Sequence, residues 1–216
     1  MLTSTKLKLA YVGLADRRAH RARFVTKPLL MPTLAASLLT NPRAEDSPLR
    51  ASTVAAQLGG WGGDVALLGE GTKPFLAGTG SFALGHAAYL TGFLRQHGDS
   101  NVRQANGPRA VAGAWGLTAP VMAVMARRRQ RELGGPVFGY ATVLAAMAAA
   151  ANYLDTDLSP SSRRLTAAGA GLFMLSDTLL GFRKFVLSDP PPALETGVMA
   201  TYTAAQFLLS EGAGRA

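Results

Sequence analysis

Two aspartates stand in otherwise apolar runs: Asp64 in LGGWGGDVALL (residues 58–68) and Asp177 in LFMLSDTLL (residues 172–180). A third run, GTGSFALGHAAYLTGF (residues 78–93), holds His86, and Lys27 lies near the start of a fourth. On insertion scales a charged side chain at a helix centre costs about 2.5–3.5 kcal/mol, so such residues call for a compensating reason. The chemistry they suit is proton transfer. A carboxyl removed from water can keep a proton and deliver it as a general acid, while an ionised second carboxylate serves as base or steadies a cation. The same residues also suit a proton-coupled carrier of small molecules, and hydration would explain a single aspartate near a helix end but explains two of them less readily.

Spacing adds detail around His86. Phe82, His86, Tyr89 and Phe93 fall on one helical stripe, and Gly78, Ser81, Gly85, Ala88 and Gly92 form a second stripe of small residues only. The first reads as an inward polar face, the second as the seat of a neighbouring helix. Tyr140, Tyr202 and Gln206 also lie in apolar blocks, where interfacial belts and interhelical hydrogen bonds are the ordinary explanation. Gln206 in particular needs partners, which favours an inward face. Asp155 and Asp157 in LDTDLSP (residues 154–160) read as a solvated loop, and GGWGG (residues 59–63) lacks the Gly-Lys-Ser/Thr of a phosphate loop. His20 and His97 fall in linkers, so no poly-histidine metal site is expected within the apolar blocks. The absence of cysteine excludes disulfides, Cys-bound zinc and a thiol nucleophile. No cofactor is expected.

The elements that carry these residues are apolar helices. Only 16% of the chain is charged, against about a quarter in soluble domains. Seven apolar blocks can be read, at residues 24–39, 52–68, 75–93, 110–126, 136–153, 165–182 and 195–209. Each approaches the ~20 residues needed to cross a bilayer core. Ala, Leu, Gly and Met dominate them and no two-residue alternation persists, which disfavours sheet. The expectation is an all-α, polytopic transmembrane bundle: seven full spans in one integral membrane domain over residues 1–216. The run LAYVGLA (residues 9–15) is too short to cross and reads as the stub of a truncated N-terminal helix. The basic excess, 22 Lys+Arg against 13 acids, is split among linkers such as RRAHRAR (residues 17–23) and RRRQR (residues 127–131). No nucleic-acid motif accompanies it, so no nucleic-acid partner is expected. Its distribution favours placing the start of the first block inside the cell and the C-terminus outside. Lys27, Asp64 and Asp177 then share the cytoplasmic half of a bacterial-type inner membrane.

These polar positions, in this order, resemble the lysoplasmalogenase (YhhN) family of integral membrane hydrolases. The carrying runs are TKPLLMP (26–32), GDVALL (63–68), FALGHAAY (82–89), GLFMLSDTLL (171–180) and YTAAQ (202–206). The resemblance implies an eight-helix bundle that cleaves the vinyl ether of lysoplasmalogen to a fatty aldehyde and a glycerophosphoethanolamine or glycerophosphocholine. It also implies that the two intramembrane aspartates of the family are Asp64 and Asp177. Beside them His86 would orient water or relay protons, and Lys27 would hold the substrate phosphate. Tyr89, Tyr140, Tyr202 and Gln206 would line the substrate site. The partners implied are a lysophospholipid and membrane lipids. The departure from the family pattern is the first helix, nearly absent here. A proton-coupled transporter and a non-catalytic lipid-binding bundle are the rival readings.

Overall fold

The computed structural model describes residues 4–8, 23–98 and 106–216. Seven long helices organise them: α1 (Arg23–Leu39), α2 (Arg50–Ala66), α3 (Thr72–Arg95), α4 (Asn106–Arg129), α5 (Gly134–Ala150), α6 (Pro160–Gly181) and α7 (Pro192–Ala213). A π-helical turn, Phe182–Val186, extends α6. No strand forms among the described residues, where a lone bridge pairs His97 with Leu154. Each apolar block expected from the sequence lies on one of these helices. The fold is therefore all-helical. Three helices are long and apolar enough to cross a membrane: Asn106–Arg129, Arg131–Ala150 and Pro160–Val186. The run at residues 9–15 lies outside the described residues. Residues 4–8 are helical, and Ser4 Oγ donates to the Ser37 carbonyl at 2.9 Å while Lys8 pairs with Glu211.

Local chemistry sets several helix ends. Ser159 caps α6, its hydroxyl accepting from the Ser162 N–H at 3.1 Å, with Pro160 in the first turn where a missing N–H costs nothing. Proline also opens α7. Gly71, at φ 95°, turns the chain between α2 and α3 in a left-handed conformation that side-chain-bearing residues avoid.

Packing runs pairwise, α2 along α3, α4 along α5 and α6 along α7, with α3 also meeting α5 and α1 lying on α2. Where α2 meets α3 the small-residue stripe is the contact surface. Ser81 Oγ donates to the Gly59 carbonyl at 2.8 Å, and a Cβ on Gly85 would stand 2.8 Å from the Ala56 carbonyl oxygen. Only glycine permits that approach, the mode by which helices associate in lipid. The main core gathers Leu30, Met31, Leu34 and Leu38 of α1 with Tyr89, Phe93, Met147, Phe173 and Leu209. Several polar side chains lie inside while large apolar ones lie outside. Gln57, Asp64, His86 and Gln206 are buried, whereas Leu84 and Leu117 are 73% and 76% exposed.

Candidate functional site

Asp64 occupies the last turn of α2, which ends at Ala66, two residues before the apolar block does. A hydrated helix end would explain an aspartate there, but its carboxyl is only 1% exposed. Two side chains from other helices meet it instead. Tyr202 of α7 donates its hydroxyl to Oδ2 at 2.7 Å, and Lys27 of α1 places Nζ 3.3 Å from Oδ1. A buried charge is tolerated when it is paired and its lone pairs are bonded, and both conditions are met here. Three helices thus converge on one carboxylate.

Asp177 sits four residues before the end of α6. Its Oδ2 accepts a short hydrogen bond from the Tyr140 hydroxyl of α5. Tyr140 in turn lies 3.0 Å from His86 Nε2 of α3. With the phenol proton directed at Asp177, the tyrosine oxygen accepts from Nε2–H, leaving Nδ1 as the unprotonated nitrogen. Nδ1 is buried without a hydrogen-bond partner. The imidazole is fixed by Phe173, whose ring meets it edge-on at 4.6 Å. The result is a chain of three side chains, His86, Tyr140 and Asp177, drawn from three helices.

Both aspartates face one cavity of about 190 Å³, which Lys27, Tyr140 and Tyr202 also line. Its walls are apolar: Phe75 and Phe82 of α3, Trp115 and Met122 of α4, Leu144 of α5 and Met174 of α6. Phe82 is held edge-on against Tyr202 at 5.9 Å, which fixes the wall between the two carboxyls' helices. Beside this cavity, and sharing Lys27, Phe75 and Leu180 with it, opens a vestibule of about 370 Å³. Arg183, Lys184 and Glu195 line both.

Of the residues singled out from the sequence, Lys27, Asp64, Tyr140, Asp177 and Tyr202 line the cavity. His86 does not; it stands behind Tyr140 and reaches Asp177 through it. Tyr89 and Gln206 are also set back from the cavity, joined to each other by a 3.0 Å bond from the Tyr89 hydroxyl to Oε1. That bond ties α3 to α7. Among the described residues no group of three His, Asp or Glu is gathered closely enough to hold a metal ion.

The sequence model of the YhhN family matches residues 22–213 of the 216. The chain belongs to the YhhN family. The match takes in every candidate residue, from Lys27 to Gln206. No curated protein and no solved structure matches the chain. Sequence reasoning passed over three residues that this YhhN protein brings to the cavity and its vestibule: Arg183, Lys184 and Glu195. Each lies at the edge of an apolar block, where a charge is ordinarily a linker residue. The available signal was position, since GFRKF (residues 181–185) follows the Asp177 helix directly.

Proposed function

We propose that this YhhN protein is an integral membrane hydrolase that cleaves the vinyl ether bond of a lysoplasmalogen, with Asp64 and Asp177 as its acid–base pair. The observation that carries the reading is that the two carboxyls face one cavity with different partners. Asp64 has an ammonium beside it and Asp177 a phenol. Vinyl ether hydrolysis needs a proton delivered to carbon and then a stabilised oxocarbenium-like cation, the pairing of roles that two carboxyls fill in glycosidases, here by analogy. In this scheme Asp177 gives its proton to the outer vinyl carbon, and the adjoining C–O becomes the cation. Water adds to the cationic carbon and loses a proton to Asp64, giving a hemiacetal. The hemiacetal hydroxyl returns a proton to Asp177 as the C–O bond breaks, and the proton on Asp64 passes to the departing glycerol oxygen. Aldehyde and glycerophospho-base leave, and both carboxyls regain their starting forms.

The supporting residues divide by what they touch. Lys27 and Tyr202 fix Asp64, and Tyr140 fixes Asp177. His86 acts through Tyr140, and Tyr89 with Gln206 braces the helices behind the cavity. In this reading all seven helices cross the inner membrane as one domain, and the cavity opens toward the cytoplasmic half. Three apolar helices of spanning length and the exposed leucines support a place in the membrane. Purified protein in detergent, given a lysoplasmalogen, is expected to release fatty aldehyde. A folded protein that releases none would leave a carrier or a non-catalytic lipid binder, and flux into proteoliposomes would separate those two.

A further inference from the structure

The vestibule beside the aspartate cavity is cationic, and its cations are not equally engaged. Lys27 has Asp64 at 3.3 Å, and Arg183 donates from Nη2 to Glu195 at 3.1 Å. Lys184 has no carboxylate within ion-pair distance among the described residues. Its ammonium is instead held over the Phe75 ring, 4.3 Å from the centroid. A cation–π contact orients a charge without neutralising it.

The backbone fixes this placement. Arg183 and Lys184 lie on the π-helical turn Phe182–Val186, and both line the vestibule. Such turns are rare and are frequent at functional sites. This one is secured at its C-terminal end. Phe185 is buried and meets Phe75 edge-on at 5.8 Å, and Arg129 of α4 donates to the carbonyls of Phe185 and Leu187, each at 3.3 Å. A solvated charge run would show none of this anchoring.

We infer that Lys184 and Arg183 on the π-helical turn form a phosphate subsite, which receives the phosphodiester of a lysophospholipid while its ether bond reaches the aspartate cavity. The inference rests on the proposed hydrolase for its substrate, but the subsite itself is a matter of binding. With Lys27 paired to Asp64 and Arg183 to Glu195, the vestibule keeps one cation with no carboxylate beside it among the described residues, Lys184, which suits a phosphodiester anion. The cavity beyond it is mostly apolar and suits the alkenyl end. Arg183 retains free guanidinium donors after its bond to Glu195, so it can grip a phosphate oxygen alongside Lys184.

The test measures binding without turnover, using a saturated hexadecyl ether lysophosphoethanolamine, which has no vinyl bond to cleave. The matched control is hexadecylglycerol, the same ether without phosphate. Calorimetry in detergent should show Lys184→Met binding the phospholipid about tenfold more weakly, as expected for one lost charge-assisted contact. Hexadecylglycerol should bind wild type and variant alike, and Lys184→Arg should keep most of the affinity. Millimolar inorganic phosphate should compete poorly, since the subsite takes its phosphate on a lipid; full displacement by it would assign the subsite to the free ion and overturn the inference. Equal loss of both ligands in Lys184→Met, or loss of neither, would overturn it too. An absence of aldehyde release from lysoplasmalogen would sink the hydrolase and leave these binding results standing.

Discussion

At the scale of single residues, the two aspartates were legible because a charge in an apolar run has few harmless explanations. Their partners were not. Tyr140 and Tyr202 look in sequence like any interfacial tyrosine, and nothing in a one-dimensional record pairs Tyr202 with Asp64 across 138 positions. Asp64→Asn and Asp177→Asn preserve shape, so each variant should fold and lose at least about 10²-fold in aldehyde release. The double variant should be little worse than the worse single, because the proposed mechanism uses the two carboxyls as one unit. Tyr140→Phe should impair release more than His86→Gln, since only Tyr140 touches Asp177. A separate expectation concerns stability. Lys27 and Asp64 form a buried pair, their side chains 16% and 2% exposed. Removing the lysine alone takes the ammonium from a buried carboxylate, a loss that costs about 3–5 kcal/mol in such pairs. Thermal unfolding in detergent should therefore find Lys27→Met less stable than the Lys27→Met, Asp64→Asn double variant.

Elements were the most readable level. Apolar length and composition marked all seven helices, and the small-residue stripe on α3 foretold its contact with α2. The ends were harder, because a helix stops where its backbone bonds stop and hydrophobicity does not. Leu67 and Leu68 continue the apolar run after α2 has ended, which is why Asp64 lies closer to its terminus than the pattern suggested. The π-helical turn had no signal at all in FRKFV, whose geometry comes from Phe185 packing and the Arg129 latch. The α2–α3 contact makes its own prediction. Gly85→Ala would press a methyl on the Ala56 carbonyl, a backbone atom that cannot step aside as a side chain would. Overpacking of that kind costs about 1–3 kcal/mol. The unfolding midpoint should fall accordingly, whereas alanine at Gly80, which meets nothing within 4 Å, should be nearly silent.

For the whole molecule, charge counting gave an orientation and the structure refines its basis. Lys8, weighed with the start of the first block, pairs with Glu211 near the end of α7, at the opposite end of the bundle from Lys27. The excess behind the orientation is smaller for it. Arg129 and Ser159 flank two successive connections, so cysteines at those positions should be labelled from opposite faces of the membrane. Labelling of both from one face would overturn the seven-span topology. The size of the aspartate cavity carries one more consequence. Its 190 Å³ suits the reacting end of a lipid rather than a whole one. In the proposed reaction a long tail is expected to stay in the surrounding lipid, so that its transfer from water would contribute nothing to discrimination by the protein. Rates compared at equal mole fraction in the bilayer, rather than equal bulk concentration, should be nearly indifferent to tail length. A membrane hydrolase of the proposed kind would sample its substrate in two dimensions, and select it by the end that the membrane does not already hold.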